Sequence, residues 1–234
     1  EKQALVETVR QAVGRRARVL AGVGTFDTAH SVALARQAAA AGADGLLVVT
    51  PYYSRPPQDA LVAHFLTVAE ATDRPIMVYD IPQRSGVAVE EDSLIELSRH
   101  PLIVAVKDAK GQPVSSARVM AQTGLAYYAG DDAMALPLLA VGGVGLVGTS
   151  THFSGVVTKR MIEAHLAGRP DQALDLFRRL LPVYTGVFAT QGVMLVKAGL
   201  AARGFPPAVL RPPLRPATAE QAARFVALLD AAGL

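Results

Sequence analysis

The stretch Ile103-Val104-Ala105-Val106-Lys107-Asp108 is an apolar run that ends on a lysine. Four apolar residues, three of them β-branched, predict a buried strand. A lysine at its end has two courses. It reaches solvent and pairs with Asp108, or it sits where burial destabilises its charged form. In the second case its pKa falls and the neutral amine becomes a nucleophile towards carbonyls. A Schiff base with a keto acid also requires a group that moves protons and a cation or dipole for the carboxylate. Tyr79, at the end of the preceding apolar run, offers a phenol; the alternative is a core tyrosine with its hydroxyl satisfied. Arg84 lies on the loop after it, where its planar fork suits a carboxylate. Tyr52 and Tyr53 stand before Pro56-Pro57 and expose aromatic area, for chemistry or for an interface. Gly130 lets backbone approach a ligand, and Asp131 or Asp132 either joins a site or caps the next helix.

These residues need elements to hold them. An amphipathic helix is predicted over residues 1–14, with Leu5, Val6, Val9 and Val13 on one face. Strands follow at Arg18–Gly24, Gly45–Thr50, Pro75–Ile81, Ile103–Lys107, Leu125–Ala129 and Gly145–Ser150. Between them lie helices at Ala29–Ala41, Gln58–Thr72, Glu90–His100, Val114–Thr123 and Ala133–Val141. Strict alternation with continuously apolar strands predicts a parallel sheet covered by helices. No GxGxxG follows a strand, which leaves a dinucleotide-binding sheet without support. The distinctive residues fall instead at the ends of successive strands, which converge on one mouth in a barrel. After residue 150 the pattern turns helical: Val156–Leu166, Pro170–Tyr184, Gln191–Arg203 and Thr218–Ala232, the last opened by Thr218-Ala-Glu-Gln221. The predicted division is a barrel over residues 1–167 and a helical region over 168–234.

Composition narrows the function classes. The chain has 234 residues, 51% hydrophobic and 18% charged, enough for one substantial core and too apolar for a disordered chain. Its 23 basic and 20 acidic residues give a net charge of +3, and the basic ones are scattered, unlike those of a nucleic-acid binder. The longest apolar stretch, Ala133–Thr149, is broken by Pro137 and glycines, so no membrane span is expected. There is no cysteine, and the five histidines show no metal-ligand spacing, so neither a disulfide framework nor a metal site is expected. The absence of an address segment points to the cytoplasm.

Four motifs occur together: Gly45-Leu-Leu-Val-Val-Thr-Pro-Tyr-Tyr-Ser-Arg-Pro56, Tyr79-Asp-Ile-Pro-Gln-Arg-Ser85, Val104-Ala-Val-Lys-Asp108 and Gly130-Asp-Asp132. In order and spacing they resemble the dihydrodipicolinate synthase / N-acetylneuraminate lyase family. That family comprises pyruvate-dependent class I aldolases on a (β/α)8 TIM barrel with a C-terminal helical region. The resemblance implies that Lys107 forms a Schiff base with pyruvate and needs no other cofactor. It implies that Tyr79 relays protons at the adduct, and that Tyr53 completes the relay in a neighbouring subunit's site. Arg84 corresponds to the arginine that receives the aldehyde's carboxylate, and Gly130 and Val147 to positions lining the pyruvate pocket. The tyrosine-pair and arginine motifs are typical of the synthase branch. That branch condenses pyruvate with L-aspartate-4-semialdehyde to 4-hydroxy-tetrahydrodipicolinate, on the route to diaminopimelate and lysine, as a homotetramer of tight dimers. The alternatives within the resemblance are lyases acting on N-acetylneuraminate or keto-deoxy sugar acids, or a product that keeps the fold without catalysis.

The sequence also departs from the family pattern. The family's Gly-Thr-Thr-Gly-Glu stretch, whose threonines help bind the pyruvate carboxylate, is not found. With it the first two βα units are expected to be lacking, which leaves six strands of eight and puts the activity of this chain in question. Lysine-inhibited members carry an amide and a glutamate where Phe26 and His30 stand, so weak or no lysine feedback is expected. Asp80 takes the place of a usual asparagine.

Overall fold

The alternation of apolar runs and helix signals is realised as far as residue 146, and the rest of the chain is helical. The computed structural model describes residues 1–234. Its elements are α1 (Lys2–Val13), β1 (Leu20–Gly22), α2 (Thr28–Ala40), β2 (Gly45–Val49), α3 (Gln58–Glu70) and β3 (Ile76–Asp80). A single turn, α4 (Pro82–Ser85), precedes α5 (Glu91–Leu97), β4 (Ile103–Asp108), α6 (Pro113–Met120) and β5 (Ala126–Ala129). A 3-10 turn at Asp132–Met134 leads into α7 (Ala135–Ala140) and β6 (Gly145–Leu146). Four helices end the chain: α8 (Thr151–Leu166), α9 (Pro170–Gly186), α10 (Gly192–Ala202) and α11 (Ala219–Ala231).

The strands form one sheet in chain order, β1 to β6, and β1 through β5 pair in parallel. The fold is α/β with a six-strand half-barrel sheet of TIM type; the sheet is open, with β1 at its edge. One face carries Leu46, Val48, Ile76, Val78 and Val106, all with no exposed surface. Helix residues Leu61, Phe65 and Val68 of α3 and Leu94 and Leu97 of α5 are equally buried. This burial is what the unbroken apolar runs encode, since helices cover a parallel sheet on its faces. Helix α1 differs: none of its residues is buried, and Leu5, Val6 and Val9 line an apolar cleft with Val19, Ala21 and Leu34.

One irregularity in the pairing decides where the lysine points. Ile76 pairs with Ile103, but Met77 pairs with Ala105, so the register skips Val104. Val104 is bulged out and 43% exposed. Beyond the skip, Val78 lies beside Val106, Tyr79 beside Lys107 and Asp80 beside Asp108. Side chains alternate between faces along a strand. Were Val104 paired with Met77 in an unbroken ladder, Lys107 would stand beside Asp80 on the helix-covered face; with Val104 skipped, Lys107 joins Tyr79 on the other.

The chain divides into two compact units, residues 1–130 with 141–144 and residues 131–140 with 145–234. In the second, α8 packs on α9, and Val183, Val187, Leu195, Val196, Phe225 and Leu229 form a core with Phe153 against it. The start of α11 is a capping box: Thr218 N donates to Gln221 Oε1 at 2.9 Å and Gln221 N to Thr218 Oγ1 at 3.2 Å. β6 is shorter than its apolar run. The N–H groups of Thr149 and Ser150 turn onto the buried Asp132 carboxylate, at 3.0 and 2.8 Å, which ends the strand and lets α8 begin at Thr151.

Candidate active site

The C-terminal ends of β3 and β4 bring two of the sequence candidates together. Tyr79 and Lys107 are register partners on one face, and Lys107 Nζ lies 4.0 Å from the centroid of the Tyr79 ring. An ammonium over a phenol face is held by the ring quadrupole, and the same approach keeps a neutral amine within reach of the phenol's proton chemistry. Both side chains are half-buried. Burial pushes the Tyr79 phenol above its ordinary pKa, while the positive charge of Arg84 opposes that rise. The phenol is therefore protonated at neutral pH and available as a donor.

Gly130 completes this end of the sheet. A Cβ there would lie 3.0 Å from Lys107 Cγ and 3.0 Å from Ala109 Cβ. The missing side chain thus leaves room for the stem of Lys107 itself, and Gly130 N donates to Asp108 O at 2.7 Å. Thr50 anchors the neighbouring strand: its N–H and its Oγ1 both donate to Tyr79 O, at 3.0 Å each.

Arg84 sits on α4, the single turn after β3, and is exposed. The turn is closed by Gly86, at φ +83°, whose N–H donates to Pro82 O at 2.9 Å. Tyr52 and Tyr53 behave differently from each other. Tyr52 packs edge-on against Phe26, with ring centroids 5.5 Å apart. Tyr53 adopts φ +76° and is 94% exposed, so a strained left-handed residue throws its ring away from its own chain.

In the second unit, Asp131 accepts Ala133 N at 3.0 Å and caps the 3-10 turn, one of the two roles open to it in the sequence. Asp132 instead receives Thr149 N and Ser150 N. Val147 lies half-buried just after β6. No group of three or more His, Cys, Asp or Glu side chains is placed to hold a metal ion, and no helix is long and apolar enough to cross a membrane.

Behind the site, on the helix-covered face, lies a polar cluster that was not among the sequence candidates. Asp80 is fully buried and pairs with Lys110 Nζ at 3.3 Å, with the Lys110 side chain only 5% exposed. Asp80 Oδ1 accepts Val89 N at 3.2 Å, and Lys110 Nζ donates to Val89 O at 3.4 Å. Asp108 accepts Lys110 N at 2.8 Å and the Ser116 hydroxyl. Burial pushes the Asp80 carboxyl up to about 6, against the pull of Lys110. The Tyr127 phenol, buried among these carboxylates, is pushed far above its ordinary value by desolvation. The sequence shows an aspartate directly after Tyr79 and a second lysine three residues beyond Lys107, but nothing in their spacing says that the two meet.

A parallel half-barrel with its polar residues at the strand C-termini is the architecture of the TIM-barrel enzymes. Within that class the chain belongs to the dihydrodipicolinate synthetase family, whose model matches residues 1–232. A 4-hydroxy-tetrahydrodipicolinate synthase of Cutibacterium acnes is 60% identical over 230 residues, covering 98% of this chain and 78% of that relative. The solved structure of the Cyanidioschyzon merolae enzyme with lysine bound aligns over 100% of this chain and 80% of that one, at TM-score 0.96 and 36% identity. A structure described as the first monomeric variant of a dihydrodipicolinate synthase aligns at TM-score 0.96 and 28% identity, over 100% of this chain and 80% of that one.

Proposed function

We propose that this protein condenses pyruvate with L-aspartate-4-semialdehyde to 4-hydroxy-tetrahydrodipicolinate, through a Schiff base on Lys107. The observation that carries the reading is the 4.0 Å approach of Lys107 Nζ to the Tyr79 ring at the strand ends. The relatives' shared activity supports it.

In this reading neutral Lys107 attacks the keto carbon of pyruvate, and the carbinolamine loses water to give an iminium. The iminium is the electron sink, so the route asks for no further cofactor. Tyr79, a phenol that burial keeps protonated, donates to the departing hydroxyl, and its phenolate takes the proton that leaves the methyl carbon. The resulting enamine attacks the aldehyde carbon of the second substrate, and the new alkoxide takes that proton from Tyr79. The second substrate's amino group then adds to the iminium carbon and displaces the Lys107 amine, which closes the ring and frees the lysine. Arg84 receives the carboxylate of the incoming aldehyde. Gly130 and Val147 line the pyruvate pocket. Tyr53, turned away from its own chain, completes the proton relay of a partner subunit in a homotetramer built from dimers. The cytoplasm is the compartment this biosynthetic reading implies.

Incubation with pyruvate and borohydride tests the reading. Reduction should fix a pyruvate-derived mass increase on Lys107, lost in Lys107→Ala, and aspartate semialdehyde should then be the preferred acceptor. A folded protein without the adduct would overturn it. An adduct with activity only on N-acetylneuraminate or keto-deoxy sugar acids would move the protein to another branch of the family. Sedimentation of Tyr53→Ala against the unaltered protein tests the shared site: the oligomer persists while turnover falls.

A further inference from the structure

The Asp80–Lys110 pair lies on the opposite face of the sheet from Tyr79 and Lys107, yet it is one residue from the first and three from the second. Asp80 belongs to β3, and Lys110 to the loop after β4, so their 3.3 Å contact crosses between the two strands that present the candidate site. The last backbone bond between those strands, Ala109 N to Asp80 O at 2.9 Å, lies beside it. The pair also grips a third element. Val89 N is held by Asp80 Oδ1, and Val89 O by Lys110 Nζ. Val89 is fully buried and ends the loop that carries Arg84. Asp108 ties the same lysine's backbone and the start of α6 through Ser116.

We infer that Asp80 and Lys110 are positioning residues: their buried ion pair fixes the spacing of Tyr79, Lys107 and the Arg84 loop. Hydrophobic cover alone would hold two strands together, and a buried ion pair adds little net stability beyond what apolar side chains supply. What it adds is direction. Asp80 Oδ1 takes Val89 N, Asp80 Oδ2 faces the Lys110 ammonium, and the ammonium also reaches Val89 O, so these contacts tie the two strand ends and the Val89 loop in one arrangement. Three other charged or titratable groups face the cluster: Asp108, Glu91, which is held by Arg118, and the Tyr127 phenol. Glu91 bonds Arg118 at 2.9 Å, which leaves Asp80 as the partner of Lys110.

The inference deepens the Schiff-base reading, and the experiment is arranged so that each can fail alone. The intact protein, Lys110→Met, and the double variant Asp80→Asn/Lys110→Met are compared by circular dichroism and two measures of Lys107. The first is the rate of borohydride trapping with pyruvate. The second, without pyruvate, is the acetylation of Lys107 by acetic anhydride as a function of pH, read by mass spectrometry. The double variant leaves neither member of the pair as a lone buried charge, and Asp108 keeps its bonds from Lys110 N and the Ser116 hydroxyl, so it should fold as the unaltered protein does. Its trapping rate should nevertheless fall at least about tenfold, because ångström-scale misplacement costs that much or more. Its acetylation midpoint should move by about half a pH unit or more, because the amine's surroundings change. A folded double variant matching the unaltered protein in both measures overturns the positioning role. If it does not fold, Asp80→Asn alone, which keeps the side chain's shape, is put through the same two measures: a change in either supports the role, and a match in both overturns it. An unaltered protein without a pyruvate adduct ends the Schiff-base reading, and acetylation then decides the positioning role by itself.

Discussion

Tyr79 and Lys107 are register partners on adjacent parallel strands, and the amine of one lies 4.0 Å from the ring centroid of the other. Neither is placed by a flexible loop. Backbone pairing sets the separation of their Cα atoms, so only side-chain rotation or a movement of β3 against β4 changes the distance between amine and ring. Groups that must exchange protons within one adduct benefit from such fixed spacing.

Tyr79→Phe keeps the ring beside Lys107 and removes only the hydroxyl. It should lower kcat by about 10²–10⁴, the usual worth of a positioned proton donor, with the circular dichroism spectrum unchanged. Activity within twofold of the unaltered protein would place the proton relay elsewhere.

Arg84 is exposed on its turn, and its charge reaches the Tyr79 phenol. Arg84→Ala should raise KM for aspartate semialdehyde about tenfold to a hundredfold, the scale of a lost charge-assisted hydrogen bond. Pyruvate trapping on Lys107 should change little. Equal losses for both substrates would contradict a role at the aldehyde's carboxylate.

Asp80 makes stability depend on pH in a direction unusual for a carboxylate. Its folded pKa, about 6, lies above the ordinary 3.8, so the folded protein binds the proton more tightly than the unfolded chain. The stabilisation is fully present below pH 3.8 and is lost as pH rises through about 6. Two pKa units correspond to about 3 kcal/mol. Urea melts between pH 4 and 7 should show this fall in the unaltered protein relative to Asp80→Asn. The difference profile isolates it from Glu91, whose carboxyl Arg118 holds at about 2 and which loses its contribution as pH falls from 4.5 towards that value. A flat difference profile would mean that Lys110 compensates the burial of Asp80 in full.

Phe26 presents an apolar ring to Tyr52 at 5.5 Å, on the side of the fold where lysine-inhibited relatives are expected to carry an amide. Free lysine should therefore leave turnover unchanged within twofold at about 10 mM, a concentration that would fill about nine-tenths of even a millimolar site. Clear inhibition at that concentration would show that the aromatic pair rearranges to admit the amino acid.

Much of this architecture is legible in the sequence because its strands are long apolar runs between helix signals, as Gly45–Val49 and Ile76–Asp80 show. Lys107, Tyr79 and Arg84 could be picked out because strand ends share a rim. Three features could not. β6 is cut short by hydrogen bonds from Thr149 and Ser150 to Asp132, a tertiary contact that its apolar run does not encode. The Asp80–Lys110 pair joins residues 30 positions apart whose types are unremarkable singly. The skip at Val104 leaves no mark in composition, because a bulged valine and a paired one are the same letter.

That skipped valine makes the site a matter of counting. Whether Val104 is paired or skipped decides which side of the sheet receives the amine, so the number of paired residues between Ile103 and Lys107, more than side-chain identity, is the constrained property of this segment. Val104 is 43% exposed, and replacing it by threonine or isoleucine should alter little. Deleting it would remove the bulge and leave Ala105 to Asp108 paired as they are, with Lys107 still beside Tyr79. Inserting one more residue after it would instead carry Lys107 across the sheet to stand beside Asp80, an inversion of the strand produced without changing the chemistry of any existing residue.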